Sequence, residues 1–337
     1  MQVEAGRIAR AVALGLSLTL VAAACGGDDG GGGAGGGSID LVAYSTPQEA
    51  YADIIAAFKE DGHDGVDVSE SYGGSGDQSR AVEAGQPADV VEFSLEPDMD
   101  RLVESGLVAD DWNGGEHGGM VTDSVVVFVV RSGNPLDIQS WDDLTADGVE
   151  VVTPNPFTSG GARWNVLAGY GAKVEQGASE DEATEFLHDL FANVIVQDDS
   201  ARNSLQTFTG GAGDVLIAYE NEAIFAQESG EDIDYVVPDE TILIENPVAV
   251  TTDGAENQAA ADFVDFLFTD EAQRLFADHG YRPVVEDVLE PDEFPEPSSL
   301  FTVDDLGGWS EVSDRFFDPE DSIMADVERG IGVSTGG

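Results

Sequence analysis

Cysteine is almost missing: Cys25 is the single one in 337 residues, so no disulfide can form within the chain. Basic residues are nearly as scarce. Thirteen Lys and Arg stand against 68 Asp and Glu, a formal net charge of −55, and lysine is reduced to Lys59 and Lys173. A surface this negative repels nucleic acid and anionic membrane. The four histidines, His63, His117, His188 and His279, are scattered, and none has metal-ligand spacing with a neighbour. No Gly-Lys-Ser/Thr phosphate loop occurs. The run GGSGD misses the Gly-x-Ser-x-Gly spacing of a hydrolase nucleophile, because position 77 is Asp. Paired acids such as Asp142 and Asp143 occur throughout, so their proximity marks no catalytic dyad. These absences argue against an enzyme, a secreted hydrolase included, and no cofactor or metal is expected. The acids are spread along the chain rather than gathered in a tail. They read as a solvated surface suited to saline surroundings, where molar salt shrinks the screening length to about 3 Å.

Arg7 and Arg10 precede the apolar run AVALGLSLTLVAAAC, which stops at Cys25. Residues 1–24 have the pattern of a secretory signal peptide, and the run is short for a bilayer span. Cys25, directly after Ala22-Ala23-Ala24, resembles a bacterial lipobox cysteine, although Ala22 stands where leucine is preferred. That resemblance implies a lipidated mature N-terminus, with residues 25–37 as lipidated cysteine and Gly-rich tether. The expected location is outside the cytoplasmic membrane, periplasmic or at the cell surface, with membrane contact through the lipid anchor only.

From Ser38 short apolar strands alternate with amphipathic helices. IDLVAYS, VDVSESY and ADVVEFS are strand-like, and EAYADIIAAFKE carries Tyr51, Ile54, Ile55 and Phe58 at helical spacing. DQSRAVEAG and DMDRLVESG read as further helices. SVVVFVVRSGNP opens a second unit, in which VEVVTPNP, DVLIAYEN and YVVPD look like buried strands. Near PVAVTTD the chain returns to the first unit. The alternation predicts an α/β architecture of two lobes, each a mainly parallel sheet flanked by helices. Lobe 1 is expected at 38–122 plus 246–290 and lobe 2 at 123–245. The segment 291–337 is expected to pack on them.

Three loops share one design: GGSGDQSRAV, TSGGARWNVL and DDSARNSLQTF each put small residues at a helix start. Ser75 and Gly76 lead the first helix, Ser159, Gly160 and Gly161 the second, and Asp199 and Ser200 cap the third before Ala201. A helix N-terminus offers unpaired N–H groups and the positive end of a dipole, and glycine lets a ligand approach that backbone. Each loop is expected to follow a buried strand, at the end of a sheet where α/β proteins bind ligands. Three such loops can converge on one anion. A structural or adhesion protein has no need of them.

The run VEVVTPNPFTSGGARWN resembles the signature of the sulfate/thiosulfate-binding proteins of ABC importers. GGSGDQSRAV, FVVRSGNP, WDDLTADGVEV, GDVLIAYENEA, Tyr281–Pro283 and LFTVDDLGGW match in the same order, over roughly residues 39–315. The resemblance implies a two-lobed, type II periplasmic-binding-protein fold with two crossover strands. It also implies a dehydrated anion in the cleft between the lobes. The implied ligand set is the backbone N–H of Ser45, Ser75, Gly160, Gly161 and Ala201, the Ser159 hydroxyl, and the side chain at Tyr219. The family commonly has aspartate at the Ser45 position and tryptophan at the Tyr219 position. Tyr219 therefore either donates through its hydroxyl or packs the cleft wall, and discrimination against phosphate is expected to be weaker than in tryptophan-bearing relatives. Arg202 is expected to orient backbone dipoles, and Arg163 to pair with a carboxylate. Implied partners are sulfate or thiosulfate and an ABC permease with its ATPase, with the protein itself a monomer. Molybdate, tungstate and phosphate are the rival ligands.

Overall fold

The computed structural model describes residues 37–289, 293–333 and 335; the expected signal segment, Cys25 and the tether up to residue 36 lie outside them. The first unit runs β1 (Ser38–Tyr44), α1 (Gln48–Phe58), β2 (Asp67–Gly73), α2 (Ser75–Glu83), β3 (Val90–Glu92) and α3 (Glu96–Glu104). Strand β1 pairs in parallel with β2 on one side and β3 on the other. Helix α1 buries Tyr51, Ile54, Ile55 and Phe58 against this sheet's core, the face its spacing predicts.

The long strand β4 (Met120–Arg131) leads into the second unit. There follow β5 (Val151–Pro154), α4 (Gly160–Glu175), α5 (Glu180–Ala192), β6 (Val194–Asp198), α6 (Ala201–Thr209), β7 (Val215–Tyr219), α7 (Glu220–Glu228) and β8 (Ile233–Val236). Strand β5 is parallel to both β6 and β7. Strand β9 (Glu240–Val250) then returns to the first unit, followed by α8 (Gln258–Leu267), α9 (Asp270–Asp278), β10 (Arg282–Pro283), β11 (Ser299–Phe301), α10 (Trp309–Phe317) and α11 (Ile323–Ile331).

The strand order β2-β1-β3-β9-β4-β7-β5-β6 places a parallel trio at each end. Between them stand β4 and β9, antiparallel to each other. Beyond that shared stretch, β4 pairs with β7 from Val126 to Val130, while β9 pairs with β3 from Val248 to Val250. These are the two crossover strands of a two-lobed α/β fold. Val125–Val130 of β4 are all buried, consistent with a strand covered on both faces.

Two features differ from expectation. TILIEN joins PVAV in the single strand β9, because Thr241, Ile242, Ile244 and Asn246 are buried between neighbours. Strands β2 and β6, which feed two of the three helix starts, are half-exposed sheet edges rather than buried strands. The segment after Trp309 folds into two amphipathic helices. Val312, Phe316, Phe317, Met324, Ala325 and Val327 are buried there, and Trp309 meets Trp164 edge-on at 4.8 Å. Among the described residues no helix is long and apolar enough to cross a membrane.

Candidate functional site

Every parallel strand of both lobes ends toward one small cavity. Ser45 follows β1, Ser75 opens α2 after β2, and Ser94 follows β3. From the other lobe, Ser159 to Gly161 open α4 after β5, Ala201 opens α6 after β6, and Tyr219 ends β7. All of them line one small, partly open cavity of about 10 Å³, together with Tyr44 and Thr46. The seven residues singled out in the sequence, Ser45, Ser75, Ser159, Gly160, Gly161, Ala201 and Tyr219, thus share one wall. Pockets for organic ligands typically run to about 300–1,000 Å³. This space is far below that range. Its lining holds no carboxylate and no cation, only backbone, small side chains, hydroxyls and the two phenols of Tyr44 and Tyr219.

Local bonds decide which groups face inward. Ser200 caps α6 by accepting from the Asn203 N–H at 3.3 Å, which sets Ala201 as the first helical residue. Ser159 stands at the N-cap of α4, yet its side chain does not cap that helix. Its hydroxyl is the lining group left to serve the cavity. Ser75 differs: its Oγ donates to Asp98 at 2.6 Å and accepts from the Ser94 N–H at 3.0 Å. The Ser75 hydroxyl is thus already engaged, and the residue stands at the N-terminus of α2.

Glycine is required where the loops meet. A Cβ on Gly160 would fall 2.6 Å from Ser94 Oγ, and one on Gly74 would fall 2.9 Å from the Asp199 carbonyl oxygen. Either contact is shorter than atoms tolerate. Both glycines let opposite lobes approach until three helix N-termini surround the same volume.

Tyr219 is buried, and its hydroxyl lies 2.6 Å from Ser94 Oγ. Burial raises its pKa well above the ordinary phenol value, against the partial opposing effect of polar side chains beside it, Ser94 first. The phenol keeps its proton. The tyrosine at this position thus makes a specific polar contact as well as packing the wall.

Ser94 has no precursor in the sequence reading. It stands alone between Phe93 and Leu95, without the small-residue cluster that marks the other loops. Its carbonyl accepts from Trp164 Nε1 at 2.7 Å and from Asn246 Nδ2 at 3.0 Å. Tyr44 and Thr46 were missed for a similar reason, since their aromatic and hydroxyl side chains read as strand end and turn.

The two arginines stand behind the lining. Arg202 grips the Thr46 carbonyl at 2.9 Å, Glu222 at 2.9 Å and Glu49 at 2.6 Å, so it orients backbone beside Ser45 and does not line the cavity. Arg163 was expected to pair with a carboxylate. Instead it donates to the Pro156 carbonyl at 2.9 Å and lies over the Phe317 ring, while the Asp98 charge acts on it through space. A buried arginine is satisfied equally well by a carbonyl and a π face. The histidines are dispersed: His63 stacks on Phe58, His117 on Phe268, and His279 lies 2.9 Å from Asp53. Among the described residues no group of side chains is arranged to hold a metal. A larger, open hollow beside β9 carries Glu116 and Asp265 on its wall, the wrong sign for an anion.

Residues 39–282 match the model of the bacterial extracellular solute-binding proteins. The chain is 43% identical to the sulfate-binding protein of Synechococcus elongatus over 291 residues, 83% of each chain. It is 35% identical to the thiosulfate-binding protein of Pseudomonas aeruginosa, covering 82% of this chain and 88% of that one. Among solved structures, the sulfate-binding protein SubI from Mycobacterium tuberculosis superposes with a TM-score of 0.80 at 45% identity, over 83% of this chain and 99% of that one. The chain belongs to the bacterial extracellular solute-binding protein family, in the group of the sulfate- and thiosulfate-binding proteins.

Proposed function

We propose that the cavity holds one sulfate or thiosulfate ion and that the protein delivers it to an ABC permease driven by a cytoplasmic ATPase. The observation that carries this reading is the lining itself: helix N-termini and hydroxyls around one small cavity, with no carboxylate and no cation. Charge-assisted hydrogen bonds contribute about 1.5–3 kcal/mol each. Several of them, less an association cost of about 4–15 kcal/mol, reach the roughly −8 kcal/mol of micromolar binding. The donor set is Ser45, Ser75, Gly160, Gly161 and Ala201 through backbone N–H, and Ser159 through its hydroxyl. The field at the site comes from local dipoles, so a net charge of −55 does not preclude an anion receptor when salt screens the remote carboxylates.

Selectivity follows from the lack of a carboxylate in the lining. Sulfate and thiosulfate are unprotonated near neutrality and need donors only. Monohydrogen phosphate carries a proton that needs an acceptor, and an unsatisfied buried group costs about 1–3 kcal/mol. The lobes, 38–122 with 246–290 and 123–245, close over the ion by bending at β4 and β9, and the closed form is the one delivered. Cys25 anchors the mature monomer to the outer face of the membrane through lipid, and its acidic surface suits saline surroundings.

The test is calorimetric titration of the mature chain in molar chloride salt with sulfate, thiosulfate, phosphate and molybdate. One-to-one binding of sulfate or thiosulfate with little response to phosphate is expected. Molybdate binding without sulfate binding would reassign the ligand, and the absence of heat with all four would remove the anion reading.

A further inference from the structure

We infer that Ser94 presents the hydroxyl donor on the Tyr219 side of the cavity, with Tyr219 as a positioning residue that touches Ser94 rather than the anion. This rests on the proposed oxyanion reading of the cavity. The polarity of the network argues for it. Asn246 Nδ2 donates to the Ser94 carbonyl at 3.0 Å, and a carbonyl can only accept, so the amide nitrogen must lie on that side. Its oxygen accordingly accepts from Tyr44 at 3.0 Å and Thr122 at 3.2 Å.

Tyr219 retains one proton and lies 2.6 Å from Ser94 Oγ. A phenol is a better donor than an aliphatic hydroxyl, so the proton goes to Ser94. The Ser94 proton is then the one left for the cavity that this residue lines. The donors run in series: Tyr219 to Ser94, Ser94 to the ion.

Ser94 is held rigidly for this. Its N–H donates to Ser75 Oγ and its carbonyl takes two bonds, from Asn246 and from Trp164 on α4 of the opposite lobe. Gly160 comes so close that an added Cβ would meet Ser94 Oγ at 2.6 Å, which puts this hydroxyl against the α4 N-terminus. The serine thus joins two of the anion-facing helix starts, Ser75 and Gly160.

Sulfate titration of the wild type, Ser94→Ala, Tyr219→Phe and the double variant tests this, with far-UV dichroism and melting of each ligand-free variant as the folding check. In a serial arrangement Ser94→Ala weakens sulfate about 10–100-fold, the loss of one charge-assisted donor. Tyr219→Phe weakens it by a smaller factor, because Ser94 still donates but is no longer oriented. The double variant then binds like Ser94→Ala alone. If the losses multiply, or if Tyr219→Phe is the more damaging change, Tyr219 is the direct donor and the inference is overturned. It is equally overturned if a folded Ser94→Ala binds like wild type. A wild type that binds no sulfate would instead remove the underlying oxyanion reading.

Discussion

Arg202 on α6 and Glu49 on α1 form an ion pair of 2.6 Å that bridges the two lobes. The same guanidinium holds the Thr46 carbonyl of the first lobe and the buried Glu222 of the second. A second bridge, Arg282 to Glu220 at 2.8 Å, also joins the lobes. None of these charged groups lines the cavity, so they act on the lobes rather than on an anion directly.

Glu49→Gln should weaken sulfate binding without unfolding the chain, because Glu222 still neutralises Arg202. Partly exposed pairs contribute about 0.2–1 kcal/mol, which corresponds to an affinity loss of up to about fivefold. The loss should shrink as salt is raised from about 0.1 M to molar concentration. Affinity that is unchanged at low salt would show that this pair does not stabilise the closed form.

Gly160 and Gly161 are neighbours with different jobs. A Cβ on Gly160 would press on Ser94 and on Leu95 Cδ2, at 2.6 and 2.9 Å, so Gly160→Ala should lower melting temperature as well as binding. A Cβ on Gly161 would make only ordinary contacts, 3.4–3.5 Å from Ala201, Ser159 and Tyr219. All three of those residues line the cavity. Gly161→Ala should therefore keep or raise the melting temperature, given the helix preference for alanine of about 0.5–1 kcal/mol, and abolish sulfate binding by occupying its space. Equal melting losses for the two variants would contradict this division.

The helix starts at Ser75, Gly160 and Ala201 were legible because their signals are local: small residues, a cap, then an amphipathic run. Their convergence required the strand order, which no local pattern carries. Ser94 was illegible because its role comes from four partners distant in sequence, Ser75, Trp164, Tyr219 and Asn246. Arg163 misled because its charge pointed to a carboxylate while its fold position offered a carbonyl and a ring. The two C-terminal helices could have been found from the spacing of Trp309, Val312 and Phe316, but dense acidity around them masked the apolar stripe.

Stability should fall as pH rises through neutrality. Glu92 is fully buried at the end of β3, and burial pushes its pKa from 4.5 up to about 8 although the Tyr51 hydroxyl opposes the shift. The groups facing it are the hydroxyls of Tyr51 on α1, Tyr44 on β1, Tyr72 on β2 and Tyr281 before β10. Asp123 on β4 is likewise pushed up to about 7 by burial and Glu245, with Arg282 opposing. Between pH 4.5 and about 8 the folded chain retains the Glu92 proton that the unfolded chain has released. Stability is then highest below that window, declines across it and is level above it, at about 1.4 kcal/mol per unit of displacement. Glu92→Gln should flatten the decline and melt above wild type at alkaline pH. An unchanged slope in melting against pH would rule out Glu92 as a cause.

Salt should act on stability more strongly than on the ligand's hydrogen bonds. Sixty-eight carboxylates and thirteen basic residues leave most acids without a counter-charge. Several basic groups are already tied locally, as Arg274 is to Asp278 and Glu293, or Arg80 to Asp77. The remaining repulsion is between exposed carboxylates separated by many ångströms, and the screening length falls from about 10 Å at 0.1 M to about 3 Å at 1 M. The melting temperature in potassium chloride should therefore rise steeply over that range, whereas the buried dipoles around the cavity, less than 10% exposed at Ser45, Ser75 and Ser159, are barely screened. Sulfate affinity measured on fully folded protein should accordingly change far less than stability. If affinity rose in parallel with melting temperature, long-range repulsion of the dianion, rather than local donors, would govern capture.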